Sequence, residues 1–553
     1  MKKLIIIIAI MASFAMPTLA SDFQSGNLLY TIINTYPPQV RLDGHVNGTA
    51  AQGELIIPET VTFEGVIYAV VNIRDKAFLE CAELESITIG DSVKSIGFRC
   101  FEGCTGLRGD LIIPNSVKSI GHSAFYLCSN FDGILVISDN ITKILHHTFN
   151  RCGFTGELVI PKGVTKIGYG AFEGCSGFTG NLVIPNLVTK IDCFAFAGCT
   201  GFDGELSIGN AVTVIDGGAF QGCTGLTGDL IIPNSVTKIE MNAFQDCSSF
   251  NGRFEISLNL DTIGRGAFRG CSGLSGDLVI PEGVTAIDWY AFEDCSSFSG
   301  NLEIPGTVET IGWSSFINCS FSSLTIGESV KGIQGWAFKD VPLQSIWIKT
   351  ETPPALDQAT LLPAFENVSK DIPVIVPCGT LEVYRNTEGW NEFTNITEGV
   401  AYDFVALSED EDAGFVNILK EATCEDMTVE VEAVPKGGGS FYYWEANGEV
   451  VSSENPYSFT LEGDTRLVAV FSTTGVGETE QSVSVYPNPA REKITIEGAE
   501  AAEVQVYNAF GQLVKTTQNT NEVNLEGLPQ GVYLLRVRDA EGTVFAKRVI
   551  VCR

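Results

Sequence analysis

Histidine, methionine and tryptophan are scarce in these 553 residues, with 4, 5 and 6 copies. The four histidines (His45, His122, His146, His147) are scattered, and no Cys-x-x-Cys pair exists, which removes the usual zinc-site patterns. His-Glu-x-x-His, Gly-x-Ser-x-Gly and the Gly-x4-Gly-Lys-Ser/Thr loop are absent as well. Metalloprotease, serine-hydrolase and phosphate-loop chemistry therefore lack their motifs. Basic residues are few: 34 against 67 acidic ones, for a net charge of −33. Such a balance argues against nucleic acid and anionic membrane as partners. Beyond residue 20, no apolar run reaches the length of a bilayer, so no helical anchor is expected in a mature chain.

The first twenty residues read differently. Lys2 and Lys3 precede the apolar run Leu4–Ala15, and Thr18-Leu19-Ala20 offers small residues for cleavage before Ser21. Residues 1–20 are thus expected to be a signal peptide.

What the chain does have is repetition. The phrase Ile-x-x-x-Ala-Phe-x-x-Cys recurs twelve times at intervals of 22–24 residues, from Ile73 to Val341. A fixed period of this length predicts a solenoid. In the unit from Leu158 to Phe178, Leu158 and Ile160 are spaced as on a strand, and Pro161 ends it. The following apolar positions lie three or four apart, and Ala171-Phe172 fits a short helical or 3₁₀ turn. One unit cannot bury its own apolar face, so stacking in register is required, with the phenylalanines from Phe78 to Phe338 as an internal column. Eleven of the sixteen cysteines occupy one repeat slot. Stacked Cβ atoms would lie about 4.8 Å apart, too far for a disulfide, so these cysteines are expected to be small buried residues. Cys378 and Cys424 lie outside the column and could pair.

The pattern Leu-x-Ile-Pro followed by Val-x-x-Ile-Gly-x-x-Ala-Phe-x-x-Cys, as in Leu182–Pro185, Ile191 and Ala195–Cys199, resembles the BspA-like leucine-rich repeat. The resemblance covers about Gly53 to Ile396. It implies a curved parallel β-sheet with short helical or 3₁₀ returns. Residues 21–72 are expected to form an N-terminal cap, 73–345 the repeats, and 346–400 a closing segment that departs from the phrase. Residues 401–473, with Trp444 and Asn455-Pro456-Tyr457, resemble a small β-repeat module of the internalin B-repeat type. Residues 474–481 read as a linker.

In 482–553, strands alternate cleanly and predict a small β-sandwich. Tyr486-Pro487-Asn488-Pro489, the turn ending at Gly511, Leu528-Pro529 with Gly531 and Tyr533, and the strand from Lys547 resemble the C-terminal sorting domain of type IX secretion substrates. The resemblance implies handling by the type IX secretion machinery, passage through the outer membrane, removal of this domain and attachment at the cell surface.

Leucine-rich repeat folds bind through their concave sheet, which suggests where a ligand would sit. One outward row on the strands holds Ile112, Val136, Val159, Val183, Ile231 and Val279, among others; a second, just before each strand, holds Asp110, Glu157, Glu205, Asp229 and Asp277. If exposed, this is an apolar stripe flanked by acid. Arg108-Gly109-Asp110 spells an integrin-type tripeptide, but Gly-Asp recurs in the same slot at Gly228-Asp229 and Gly276-Asp277 and is a repeat feature. Gly264-Arg265-Gly266 with Gly270 imitates a dinucleotide loop but falls in a repeat turn, and Asp410-Glu411-Asp412 lacks the later ligands of a calcium loop. No catalytic residue, metal or cofactor is expected. A surface protein that binds a protein ligand, in adhesion to host or other cells, is the leading expectation. A structural surface or biofilm spacer and a glycan binder stand as alternatives.

Overall fold

The computed structural model describes residues 22–551 apart from 358–361, 403, 437–439, 447, 473–483, 487–489, 499–500, 508–512, 527, 529–530 and 540–543. The expected signal peptide and linker lie outside the described residues. The chain divides into two units, Met1–Ala401 and Tyr402–Arg553.

The first unit opens with strands β1 (Asp22–Ser25), β2 (Leu28–Thr35), β3 (Pro38–His45), β4 (Gln52–Ile57), β5 (Thr60–Phe63) and β6 (Val66–Ile73). β1, β2 and β3 pair antiparallel in sequence. β3 then pairs parallel with β6, which pairs parallel with Ser95–Ile96 of the first repeats. The antiparallel segment thereby closes the end of the column and hands its edge to the coils.

From there the chain winds as a β-solenoid. The twelve phenylalanines of the phrase have no solvent exposure. Their rings stack face to face at 5.2–5.7 Å, for example Phe196–Phe220 at 5.5 Å and Phe220–Phe244 at 5.2 Å. The column is longer than the sequence reading allowed. Ala364-Phe365, within the segment expected to close the solenoid, continues it, with Phe365 lying 5.2 Å from Phe338. Tyr384, Trp390 and Phe393 then cover the end, and the Trp390 indole donates to the Pro354 carbonyl at 2.8 Å.

The longest parallel ladder is not the Leu-x-Ile strand. It runs through the isoleucine that starts the phrase, in ten strands from Lys143–Ile144 to Ala355–Leu356. The Leu-x-Ile strands pair mostly in twos, such as Leu111–Ile112 with Leu135–Val136 and Leu182–Val183 with Leu206–Ser207.

The return segments differ from a short helix. Ala171 and Cys175 donate three residues back, to Gly168 and Phe172, as in a 3₁₀ turn. The residues between them point the other way: Gly170, Phe172 and Gly174 donate to the carbonyls of Cys193, Ala195 and Ala197 in the next coil, at 2.7–3.0 Å. This alternation needs two left-handed residues per coil, four apart. They are Gly170 and Gly174 here, but Leu127, Phe194, Tyr290 and Trp336 occupy the same slots elsewhere with φ of 56–63°. Among the described residues, α-helix is confined to Leu381–Asn386.

Gly222, with φ +70°, would place a Cβ in ordinary van der Waals contact, the nearest atom being 3.9 Å away. Gly222→Ala is therefore expected to cost about 1 kcal/mol from backbone conformation alone. Gly201→Ala, whose Cβ would meet the Ser176 carbonyl oxygen at 2.2 Å, should cost clearly more. Thermal unfolding of the two variants checks the order.

The cysteine slot has a reason beyond size. Ten of its thiols donate to the phenylalanine carbonyl of the preceding coil, from Cys104 Sγ to Phe78 at 3.0 Å through Cys319 Sγ to Phe292 at 3.2 Å. All eleven slot cysteines are buried and free, as the spacing argument expected. Cys378, outside the column, is disulfide-bonded.

In the second unit, Phe404–Ser408, Thr465–Ser472, Ser440–Ala446 and Glu449–Ser452 form one sheet, and Gly414–Lys420, Thr428–Pro435 and Tyr457–Thr460 another. Trp444 is fully buried, and its indole donates to the Glu454 carbonyl. Residues from Ser484 onward form a three-stranded and a four-stranded sheet. Ile494, Ile496, Val504, Val506, Leu535, Val537, Val549 and Val551 share one core. Both parts are all-β, as the strand patterns predicted.

Candidate functional site

Strand alternation sends Leu111 and Ile113 inward and Ile112 outward, and the same rule repeats along the solenoid. Ile112, Val136, Val159, Val183, Ile231 and Val279 are all exposed, Val159 by 63% and Ile112 by 58%. Register brings several of them side by side: Ile112 faces Val136, Val183 faces Ser207, Ile231 faces Glu255 and Val279 faces Glu303. Four consecutive coils, from Ile112 to Val183, carry an aliphatic group here. With strands about 4.8 Å apart, they make a stripe about 15 Å long. Farther along, Glu255 and Glu303 interrupt the row. Trp347, which continues it opposite Thr325 and Ile375, is half-buried.

The acidic row is less free than its sequence suggests. The Asp110 carboxylate accepts from the Ile134 N–H at 2.8 Å and that of Asp229 from the Arg253 N–H at 2.7 Å, so each ties its coil to the next. Arg253 also pairs with Asp229 and Glu255 at 3.3 and 2.8 Å. As an exposed group it adds well under 1 kcal/mol but neutralises that part of the row. Glu157, Glu205 and Asp277 are exposed; Glu157 sits in the short strand Gly156–Glu157 and Glu205 bridges to Thr227.

Two apolar contributors escaped the sequence reading. Ile134, 46% exposed, stands in the acidic row one coil after Asp110. Leu258, 63% exposed, lines a cleft of about 390 Å³ with Ile231, Phe254, Glu255 and Val279. The signal was present, because the slot of Leu258 holds Asn115, Asp139, Lys162, Asn186, Asn210 and Asn234 in the preceding coils.

Of the residues expected to carry the sorting signal, Tyr533 is buried in the core of this last part and Leu528 packs against it. Gly531 begins the strand Gly531–Asp539, Lys547 is half-buried in Val544–Val551, and the exposed Tyr486 bonds to the Glu497 carboxylate. Pro487, Asn488, Pro489, Gly511 and Pro529 lie outside the described residues. Among the described residues no three His, Cys, Asp or Glu side chains gather as metal ligands, and no helix is long and apolar enough to cross a membrane.

The BspA type leucine rich repeat model matches residues 71–203, 178–299 and 297–358, more than half of the chain. The chain belongs to the BspA-type leucine-rich repeat family. Residues 484–552 match the secretion system C-terminal sorting domain, so this BspA-type chain carries a type IX sorting domain after its repeats. No curated protein matches it. Among solved structures, a leucine-rich repeat protein from Bacteroides ovatus is 23% identical, with a TM-score of 0.48 over 68% of this chain and 100% of that one. A leucine rich cell surface protein from Faecalibacterium prausnitzii is 25% identical, with a TM-score of 0.41 over 59% and 94%. The T. pallidum leucine rich repeat protein is 25% identical, with a TM-score of 0.31 over 37% and 91%.

Proposed function

We propose that this BspA-type chain is an exported, surface-held binding protein without catalytic activity, and that its Leu-x-Ile strand face engages a protein ligand in adhesion to host or other cells. The observation that carries the reading is the exposed run Ile112, Val136, Val159 and Val183, with Ile134 in the neighbouring row and, beyond Ser207, the Leu258 cleft. Water-exposed aliphatic groups gathered in one patch favour burial against a partner. The sorting domain supports delivery to the cell surface through the type IX machinery. Binding spread over successive coils accumulates by length, which suits a face with no single deep pocket.

Changing Val159, Val183 and Ile231 together to Glu places three charges where a partner would desolvate them. The triple variant is expected to weaken saturable binding of the purified full chain to host or bacterial cells by at least 100-fold, about 3 kcal/mol, without altering folding. Unchanged binding by the folded triple variant rejects this face. A chain with no saturable binding to either surface supports a spacer instead.

A further inference from the structure

The outer side of the isoleucine ladder carries a row of lysines. In five consecutive coils one lysine stands one or two residues before the inward isoleucine: Lys94, Lys118, Lys143, Lys166 and Lys190. The Lys118 N–H donates to the Lys94 carbonyl at 2.8 Å, and Lys143, Lys166 and Lys190 pair in register. The row therefore advances about 4.8 Å per coil and spans about 19 Å. Asp192 answers Lys166 at 2.9 Å, and Asp216 answers Lys190 at 2.7 Å. Lys94, Lys118 and Lys143 are exposed, and among the described residues their ammonium groups have no carboxylate within ion-pair distance. Burial, and then the charges of His146 and Lys166, hold the nearby His122 below its ordinary pKa, the last two marking a positive local potential. The charge is concentrated here against the trend of the chain. Residues 71–200 hold 11 basic and 12 acidic residues, whereas 201–553 hold 20 and 50. Screening acts over about 8 Å at physiological salt, so the distant acid does not cancel the row.

We propose that this row binds a linear acidic polysaccharide laid along the solenoid axis, with Lys94, Lys118 and Lys143 taking its carboxylates. Charges repeated at one coil spacing suit a polymer that repeats its own charge, because each further unit adds a contact without a new site. The positions beside the lysines are hydroxylic: Ser95, Ser119, Thr142, Thr165 and Thr189. Hydroxyls both donate and accept, as sugar hydroxyls require, whereas a folded protein partner would want an apolar anchor there. Single-stranded nucleic acid would want free rings on which to stack its bases, and the neighbouring rings are taken. Phe98 has Lys76 and Arg99 over it, each at 5.9 Å, and Tyr169 packs edge-on to His147 and Phe194 at 5.0 and 5.7 Å. The row lies on a different ladder from the Leu-x-Ile strands and does not depend on the function proposed for them.

The test titrates the full chain with an oligogalacturonate, its methyl-esterified counterpart, polyglutamate and an oligothymidylate. Saturable binding of the first and at least about 10-fold weaker binding of the neutral ester support the proposal. So does a loss of at least about 10-fold when Lys94, Lys118 and Lys143 are changed together to Gln, with added salt weakening the natural chain more steeply than this variant. Changing the same three to Arg, which keeps the charge, should retain binding. Lys238→Gln, at a ladder lysine separated from the row by Val214, should bind as the natural chain does. The Val159, Val183 and Ile231 triple variant should also bind the oligogalacturonate normally, which separates this row from the strand face. No saturable binding, equal binding of the ester, or an unchanged Gln variant overturns the proposal, as does tighter binding of polyglutamate or oligothymidylate than of the oligogalacturonate.

Discussion

Phe220→Ala is expected to destabilise the repeats by about 3–5 kcal/mol, the range for emptying a fully buried aromatic site. The ring has no exposure and stacks on Phe196 and Phe244 at 5.5 and 5.2 Å, with interplanar angles of 4° and 11°. Neighbouring coils cannot collapse into the gap easily, because strand pairs and return-turn bonds fix their spacing. A solenoid coil contacts only its neighbours, so the damage should be local. Amide exchange should accelerate most between Phe196 and Phe268, with coils near Phe101 and Phe338 retaining protection. Phe98→Ala, at a ring that is 40% exposed, is the control and should cost no more than about 1 kcal/mol. Equal losses at the two sites would deny the column its supporting role.

Alkaline pH should undo the same coils. Burial pushes the thiols of Cys175 and Cys223 up to about 12 and raises those of Cys199, Cys247 and Cys295 as well. The sign follows from linkage. Below pH 9, the ordinary value, both folded and unfolded chains keep the proton and stability is complete. From pH 9 towards 12 the unfolded chain releases protons that the folded chain retains, so stability falls by about 1.4 kcal/mol per pH unit for each such thiol. Urea midpoints at pH 8 and pH 10.5 check this, and Cys223→Ala should flatten the slope by one thiol's share. At pH 8 burial leaves Cys223 far less ionised than an ordinary cysteine. Alkylation of the slot cysteines should therefore require unfolding, whereas the half-buried Cys193 reacts first. Rapid modification of Cys223 in the folded chain would contradict this account.

Periodic burial was fully legible. The phenylalanine column, the free cysteines and the outward row of Ile112 to Val279 all follow from position in the repeat, because stacking makes each slot one environment. The return turns were not. Their left-handed slots accept glycine in some coils but Leu127, Phe194 or Trp336 in others, since the bonds to the next coil enforce a conformation that composition does not announce. The role of the acidic row was hidden for a related reason: Asp110 and Asp229 accept bonds from residues 24 positions away, and those partners become neighbours only after the coils stack. Phe365 was missed because the chain before it departs from the repeat spacing, although its ring occupies the same column.

In each return turn the backbone amides of the two left-handed residues and of the residue midway between them face one way along the axis. Gly170, Phe172 and Gly174 reach forward, and in the last copy Trp336, Phe338 and Asp340 reach the carbonyls of Pro363, Ala364 and Glu366. The stack is thus polar, like a filament with a plus and a minus end. Any fragment cut between coils would bare three such return-turn amides on one fresh face and their three carbonyl acceptors on the other. Whole 24-residue units could be lost or duplicated in evolution without disturbing that polarity, whereas the segment around Ala364 could not be lost without leaving the forward end raw and prone to joining another chain.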